Sequence, residues 1–258
     1  MGTLWGLQYL RAAAALSVLL FHAMVGAGGH DAIGTGGVDI FFVLSGFLMF
    51  QIASADPKPL AFFTARLKRI VPAYWLVTAL VVTSQLAGLT EQSAFDAPHA
   101  LKSLLFIPSM DVVRGRIYPL LIVGWTLNYE MFFYAIVAGL LLAPGRFRLP
   151  LLAGIFAGLF ALRLSSPDLP VWLDFYTDPI IFEFLFGAVL ASLWDRRWLP
   201  RYGAIPIVLG AVLMIAPQPD WLHRVIGYGL PAAMIVLGVL ALEWRRRLAK
   251  APIFALLG

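Results

Sequence analysis

Two ionisable residues, Arg11 and His22, lie eleven positions apart in a long apolar segment near the N-terminus. In an α-helix this spacing exceeds three full turns by about 20°, so both side chains point the same way. The helical rise separates them by about 16 Å along the axis, which excludes direct contact. The spacing therefore predicts that Arg11 and His22 line one channel at two different depths. A snorkelling arginine and a core histidine bonded to a backbone carbonyl are the alternative.

Asp39 is a candidate partner for His22. It follows Gly36 and Gly37, which predict a flexible entry to the next helix. A carboxylate beside an imidazole can fix its tautomer and raise its basicity. The alternative is an ordinary acidic residue in the first turn of a helix, where it interacts with the helix dipole.

Two glutamates lie inside later apolar segments, where a charge costs about 2.5–3.5 kcal/mol at the centre of a membrane helix. Glu130 is eleven residues into its segment and needs a partner, and Arg11 is the nearest cation by expected depth. Glu183 is the weaker candidate, because it lies only five residues inside its segment.

Residues 62–72 form a basic amphipathic segment. Arg66 and Arg69 are three positions apart, so on a helix they share a face and suit phosphate oxygen atoms. Anchoring to anionic lipid is the simpler interpretation of the same charges.

The composition is that of a protein dissolved in a bilayer. Of the 258 residues, 61% are hydrophobic and 13% are charged, whereas soluble proteins have about 45–50% and about 25%. The net charge of +5 does not indicate nucleic-acid binding, because the basic residues lie between apolar segments. The lack of cysteine excludes a thiolate metal site and a cysteine nucleophile.

Apolar segments bounded by charges, prolines or glycines predict an all-α transmembrane bundle of about eight helices. The approximate segments are residues 4–26, 38–54, 71–89, 119–143, 149–164, 178–194, 203–217 and 224–243. Residues 98–108 are expected to form a short interfacial helix or a loop.

The charges of the connecting segments predict the orientation. The connections after helices two, four, six and eight carry thirteen of the nineteen basic residues. Because short cytoplasmic loops are enriched in Lys and Arg, these connections and both termini are predicted to be cytoplasmic. We expect one transmembrane domain over residues 1–258. Residues 251–258 form an apolar end with no further span, which suggests a C-terminal truncation.

The chemistry-bearing segments together resemble the membrane-bound acyltransferase 3 family, in particular its exopolysaccharide O-acetyltransferase branch. The resemblance covers nearly the whole chain, although family members resemble a ten-helix unit. Four segments in the family's order carry it: residues 7–22, 37–47, 66–74 and 125–134.

The resemblance implies transfer of an acyl group, usually acetyl, from cytoplasmic acyl-CoA to a sugar hydroxyl of an exported polysaccharide or lipid-linked glycan. It implies a bacterial-type cytoplasmic (inner) membrane and no metal. By position, it implies a catalytic histidine at His22 with Arg11 as its motif partner, essential carboxylates at Asp39 and Glu130, and acyl-CoA-associated arginines at Arg66 and Arg69.

The chemistry leaves alternatives open. His22 is expected to act as a general base on the acceptor hydroxyl or to form a transient acyl-histidine. A proton-coupled transporter that uses buried His and Glu residues is the competing class, and it predicts solute flux without any acyl ester. A non-catalytic membrane scaffold would leave the buried charges unexplained. The sequence leaves the acceptor sugar, the acyl chain and the oligomeric state open.

Overall fold

The structure is almost entirely helical. A computed structural model describes residues 4–26, 35–88, 96–112, 114–195, 197–219 and 222–245. Within these residues the chain forms ten α-helices and one pair of two-residue antiparallel strands, which confirms the predicted all-α bundle. The helices divide into two compact units: Met1–Ile52 with Phe182–Gly258, called unit 1, and Ala53–Ile181, called unit 2.

Unit 1 is organised around its last helix, against which the first helix and the two preceding helices pack. Apolar residues of the first, second, eighth and tenth helices form its core. A π-helical segment, Val225–Gly229, leads directly into the last helix. The helices of unit 1 are α1 (Trp5–Gly26), α2 (Gly37–Ser54), α8 (Phe182–Asp195), α9 (Ala204–Ile215) and α10 (Leu230–Trp244).

Helices α2 and α8 cross at two glycines. A Cβ atom on Gly46 would overlap the carbonyl oxygen of Phe184, and one on Gly187 would overlap that of Val43. Small residues allow helix backbones to approach this closely, a common packing mode in membranes. The position of α2, and of the Asp39 side chain near its start, is therefore set by backbone contact with α8.

Unit 2 contains the longest helix and the two shortest helices of the described chain. The helix at Trp125–Leu140 packs against the helix at Pro59–Leu86 and against the helix at Gly145–Ser165. The elements of unit 2 are α3 (Pro59–Leu86), α4 (Ala97–Leu104), β1 (Met110–Asp111), β2 (Arg116–Ile117), α5 (Trp125–Leu140), α6 (Gly145–Ser165) and α7 (Val171–Tyr176).

Helix α3 begins twelve residues before the predicted position 71. It is 28 residues long and continues through Pro72, so it extends about 42 Å, against about 30 Å for the hydrocarbon core of a bilayer. Proline interrupts one backbone hydrogen bond without ending the helix when the flanking turns are stable. The basic segment is thus the first part of a spanning helix that extends beyond the apolar layer.

All eight predicted apolar segments contain a helix. Within the described ranges, five helical segments are long and apolar enough to cross a membrane by themselves, and α9 is a shorter apolar helix. Helix α5 starts at Trp125, six residues after the predicted start at position 119, and residues 98–108 include most of α4. The apolar end at residues 251–258 lies outside the described residues. The expectation of a single domain stays a prediction.

The contacts within unit 1 agree with the predicted alternation of helix directions. At one end the Glu243 carboxylate, near the end of α10, accepts hydrogen bonds from the backbone N–H groups of Trp5 (3.2 Å) and Gly6 (2.6 Å) at the start of α1. This carboxylate also interacts favourably with the dipole of α1. At the other end Arg224, just before α10, bonds the carboxylate of Asp39 at the start of α2.

The contacts within unit 2 also agree with the predicted alternation of helix directions. The buried Arg148 side chain donates to the carbonyl oxygens of Ala53 (2.7 Å) and Ala143 (3.1 Å), which joins the connections after α2 and α5. The Tyr176 hydroxyl donates to the carbonyl oxygen of Phe106 at 3.2 Å, which joins the connections after α3 and α6. In each case the joined connections were predicted to lie on the same side of the membrane.

Candidate functional site

The predicted site residues fall in both units. Unit 1 holds Arg11, His22 and Asp39, and unit 2 holds Glu130, Arg66 and Arg69. Their catalytic or binding roles stay predictions. What the structure establishes is the environment of each side chain within its own unit.

Helix α1 is continuous from Trp5 to Gly26, so Arg11 and His22 occupy one helix as the sequence predicted. Their axial separation of about 16 Å follows from the helical rise. The guanidinium of Arg11 is 3.4 Å from the side-chain oxygen of Gln8, one turn earlier. The structure therefore confirms that Arg11 and His22 share one helix. Their roles along a common path stay a prediction.

The His22 ring is exposed, and its Nδ1 atom lies 2.8 Å from the carbonyl oxygen of Val18. A carbonyl oxygen can only accept a hydrogen bond, so Nδ1 carries the proton in the neutral ring. Nε2 then keeps its lone pair, and it has no partner in the described part of the chain. This is the tautomer in which a histidine serves as a base or a nucleophile through Nε2.

Asp39 does not supply the hydrogen bond to His22 that the sequence suggested. Its carboxylate is fully buried and accepts a hydrogen bond from Arg224 at 2.5 Å. Arg224 also donates to the carbonyl oxygen of Thr35 at 3.0 Å. The second carboxylate oxygen, Oδ1, has no partner among the described residues. The tautomer of His22 is set instead by Val18, within the same helix.

The glycines before Asp39 have a different role from the predicted flexibility. A Cβ atom on Gly37 would meet the Ala14 carbonyl oxygen at 2.8 Å, and one on Gly36 would meet the Met214 side chain. Gly37 requires a small residue because the backbone of α1 packs against it, whereas a Cβ at Gly36 would displace only the flexible Met214 side chain of α9.

Glu130 lies in α5 and is half-buried. The Tyr134 hydroxyl, one turn later, donates to its carboxylate at 2.8 Å. The neighbouring Asn128 side chain is buried, and its Oδ1 atom has no partner in the described part of the chain. The pairing of Glu130 with Arg11 joins two units and stays a prediction.

Arg66 and Arg69 are the eighth and eleventh residues of α3, in its third turn and at the start of its fourth. The guanidinium of Arg66 lies 6.0 Å from the centre of the Phe62 ring, and Arg69 is exposed. Neither arginine forms an ion pair with a described acidic residue. Two unpaired guanidinium groups on one helix face suit an anionic ligand with several oxygen atoms.

Sequence reasoning underestimated two residues of unit 1. Glu183 was ranked lowest by its depth along the chain, yet its side chain is fully buried beside Gly229 of the π-helical segment. Arg224 was not singled out. Asp39 and Arg224 lie at the starts of the second and eighth predicted segments, whose ends are predicted to be cytoplasmic. Both residues are therefore expected on the opposite side, and this is the signal that could have paired them.

Comparison with known proteins agrees with the resemblance that the sequence indicated over nearly the whole chain. A family model described as "Acyltransferase domain" matches residues 4–258. The exopolysaccharide production protein ExoZ of Rhizobium meliloti (strain 1021) is 40% identical over 237 residues, which cover 87% of this chain and 72% of that protein. This agreement favours an acyltransferase over the transporter alternative.

Two further relatives carry similar names. The putative membrane-bound transacylase BcsY of Komagataeibacter xylinus is 30% identical, over 88% of this chain and 60% of that protein. The putative peptidoglycan O-acetyltransferase YrhL of Bacillus subtilis (strain 168) is 29% identical, over 75% of this chain and 34% of that protein. The chain therefore spans about a third to about three quarters of these relatives. No solved structure matches the chain.

Proposed function

We propose that this multi-pass membrane protein, which belongs to the acyltransferase domain family, transfers an acetyl group from cytoplasmic acetyl-CoA to a hydroxyl of an exported polysaccharide. The observation that carries the proposal is the His22 tautomer. Val18 holds the Nδ1 proton and leaves Nε2 with a free lone pair on an exposed ring. The names of the exopolysaccharide and peptidoglycan relatives support a glycan acceptor.

In this proposal the donor binds at the basic start of α3. Arg66 and Arg69 bind the phosphate groups of acetyl-CoA, because their guanidinium groups share a face and have no acidic partner in the described chain. The start of α3 extends beyond the apolar layer, so these groups contact water, as a charged nucleotide requires. In this proposal Arg66, Arg69 and the N-terminus lie on the cytoplasmic side, as the enrichment of basic residues in cytoplasmic loops predicts. The bilayer is of the bacterial inner-membrane type.

His22 performs the chemistry on the opposite side. Its Nε2 accepts the proton of the acceptor hydroxyl while the hydroxyl oxygen attacks the thioester carbonyl carbon. The carbon–sulfur bond then breaks, and the leaving thiolate takes the proton from His22. In the acyl-histidine variant, Nε2 attacks the thioester carbonyl carbon and the carbon–sulfur bond breaks, which releases the CoA thiolate and leaves an acetylated imidazolium. The acceptor hydroxyl oxygen then attacks the acetyl carbon, the carbon–nitrogen bond breaks, and the thiolate takes the hydroxyl proton. Neither route uses a metal.

The other three groups have supporting roles. Arg11 guides the donor along α1, and Glu130 organises Arg11 or the acceptor. Asp39 contributes its negative charge to the site and does not bond the imidazole; Arg224 bonds one of its two carboxylate oxygens.

The test is mass spectrometry of the exported polysaccharide from cells that lack the gene and carry wild type or His22→Ala. Wild type should restore the mass of one acetyl group in place of a hydroxyl proton, and His22→Ala at equal protein level should not. Acetylation of the polysaccharide by His22→Ala at the wild-type level would refute both catalytic routes.

The donor is tested with labelled acetyl-CoA supplied to inverted membrane vesicles. Replacing both Arg66 and Arg69 with Gln should raise the apparent KM for acetyl-CoA by about tenfold or more, since hydrogen bonds to charged groups contribute about 1.5–3 kcal/mol. The matched control is Lys68→Gln, an exposed neighbour on another face of α3. An unchanged KM in the double variant, or acetylation of the glycan without incorporation of the label, would reject this donor site.

A further inference from the structure

Unit 2 contains a cavity of about 400 Å³ that none of the proposed catalytic residues lines. Its walls are α4, the chain leading into β1, and the start of α7. A volume of this size lies within the range of about 300–1,000 Å³ typical of small-ligand sites. Its lining combines apolar residues such as Ile107 with the polar or aromatic residues Asp96, His99, Lys102, Ser109 and Trp172.

The walls of this cavity are fixed by contacts behind them. The Tyr176 hydroxyl at the end of α7 donates to the Phe106 carbonyl oxygen at 3.2 Å, and its ring stacks on Phe132 with ring centres 4.2 Å apart. Burial raises the pKa of Tyr176, so its hydroxyl remains a donor at every physiological pH. Ser103 of α4 accepts a hydrogen bond from the Leu120 N–H at 2.8 Å. The cavity is therefore formed before any ligand binds.

One side of the cavity presents a buried polar pair. The Ser109 hydroxyl and the His99 Nδ1 atom are 3.1 Å apart, and both residues are at least nine-tenths buried. The His99 Nε2 atom has no partner among the described residues. The Asp96 carboxylate accepts a hydrogen bond from the backbone N–H of His99 at 3.4 Å and does not bond the ring. No carboxylate of the described residues orients this imidazole, so the pair suits hydrogen bonding better than nucleophilic catalysis.

The charges and the aromatic ring define the ligand class. Asp96 and Lys102 are both exposed and are the charged residues of the described lining, and their charges cancel. A site without net charge does not favour phosphate or a metal cation over neutral molecules. Hydroxyl groups, in contrast, both donate and accept, so they satisfy an ammonium, a carboxylate and a serine hydroxyl at once. The Trp172 ring is 52% exposed and offers a flat apolar surface.

We propose that this cavity binds one neutral sugar residue of the glycan acceptor. The apolar face of the sugar ring stacks on Trp172, and its hydroxyls bond Asp96, Lys102 and the Ser109 hydroxyl. The inference rests on the proposed function. Both segments that line the cavity are predicted on the non-cytoplasmic side, as is His22, where an exported glycan is met.

The test measures sugar binding separately from acyl transfer. The probe is a set of oligosaccharides cut from the exported polysaccharide of the producing cells and freed of esters with mild base. Binding to the detergent-purified full chain is followed by titration calorimetry. Trp172→Ala should raise the Kd by about tenfold, the effect of losing a dominant aromatic contact. Trp172→Phe should raise it less, because the aromatic surface is kept.

Two variants serve as controls. Trp198→Ala removes an exposed tryptophan of unit 1 and should leave the Kd unchanged. His22→Ala should also bind the probe with the wild-type Kd, although it transfers no acetyl group. Asp96→Asn and Lys102→Met should each weaken binding by a smaller factor, and Asn keeps the cap that Asp96 provides for α4.

The outcomes separate this inference from the function. A wild-type Kd in Trp172→Ala, or failure of the wild-type chain to bind the probe, overturns the sugar site even if acetyl transfer is intact. Probe binding that requires Trp172 in a chain that transfers no acetyl group from any donor supports the sugar site and overturns the function.

Discussion

Asp39 in unit 1 and Arg148 in unit 2 are both buried charges with a more exposed ion-pair partner, yet they differ in how many groups they bind. The Asp39 side chain is 0% exposed; among the described residues Arg224 is its only side-chain partner, and one carboxylate oxygen is unpaired. The Arg148 side chain is 9% exposed and bonds three backbone carbonyls as well as Asp56, which is 75% exposed.

The two buried charges therefore differ in how strongly their stability depends on the ion-pair partner. A buried charge with a single partner is destabilised strongly when that partner is lost. A charge that also satisfies backbone carbonyls keeps most of its bonds when its exposed acid is removed. Arg148 therefore joins chain segments, whereas the single-partner arrangement of Asp39 is of the kind that functional sites retain at a cost in stability.

The largest expected effect comes from breaking the packing that holds Asp39 in place. Gly46→Leu should prevent stable folding of unit 1, because any Cβ at this position overlaps the Phe184 carbonyl oxygen and the two backbones must separate. We expect a loss of at least about 3 kcal/mol, measured as protein abundance in membranes and as Tm in detergent. Gly158→Leu is the matched control, because a Cβ on Gly158 meets no atom within 4 Å. Equal Tm values for the two variants would show that α2 does not depend on this crossing.

The helices were predictable from sequence and the crossing was not. Apolar length located all eight main segments, and loop charge gave their alternation. Hydropathy misplaced the start of α3, because the charges of Lys68 and Arg69 bounded the predicted apolar segment although the helix begins at Pro59. The functions of Gly36 and Gly46 depend on which distant helix packs against them, and a single sequence does not carry that information.

For the candidate site, the sequence likewise predicted which helix carries a residue but not its distant partner. Spacing placed Arg11 and His22 on one helix, and that helix forms. The partner of Asp39 is 185 positions away along the chain, so no local spacing could reveal it. Glu183 was ranked by depth along its segment, whereas its burial results from Gly229 in the π-helical segment.

The next largest effect should follow removal of the single partner of Asp39. Arg224→Met leaves a buried carboxylate uncompensated and should cost about 3–5 kcal/mol of stability. Adding Asp39→Asn removes that charge and should recover at least half of the loss in Tm. Arg201→Met, an exposed arginine of the same unit, should leave Tm unchanged.

The double variant Asp39→Asn with Arg224→Met also separates structure from chemistry. If Asp39 contributes to catalysis, this folded variant transfers no acetyl group to the exported polysaccharide. Transfer at the wild-type rate by the double variant would assign Asp39 a purely structural role and remove it from the site.

The smallest effect should come from the exposed acid of unit 2. Asp56→Asn should cost less than about 1 kcal/mol, because an exposed carboxylate gains little from an ion pair and Arg148 keeps its bonds to the Ala53 and Ala143 carbonyl oxygens. Asn also tolerates the left-handed backbone at this position, where φ is 52°. Arg148→Met should lower Tm further than Asp56→Asn, because three backbone carbonyls lose their Arg148 donor, while Arg146→Met, an exposed neighbour, should not. If Asp56→Asn lowered Tm as much as Arg224→Met, the two ion pairs would be equally dependent on their partners, and the contrast between the units would fail.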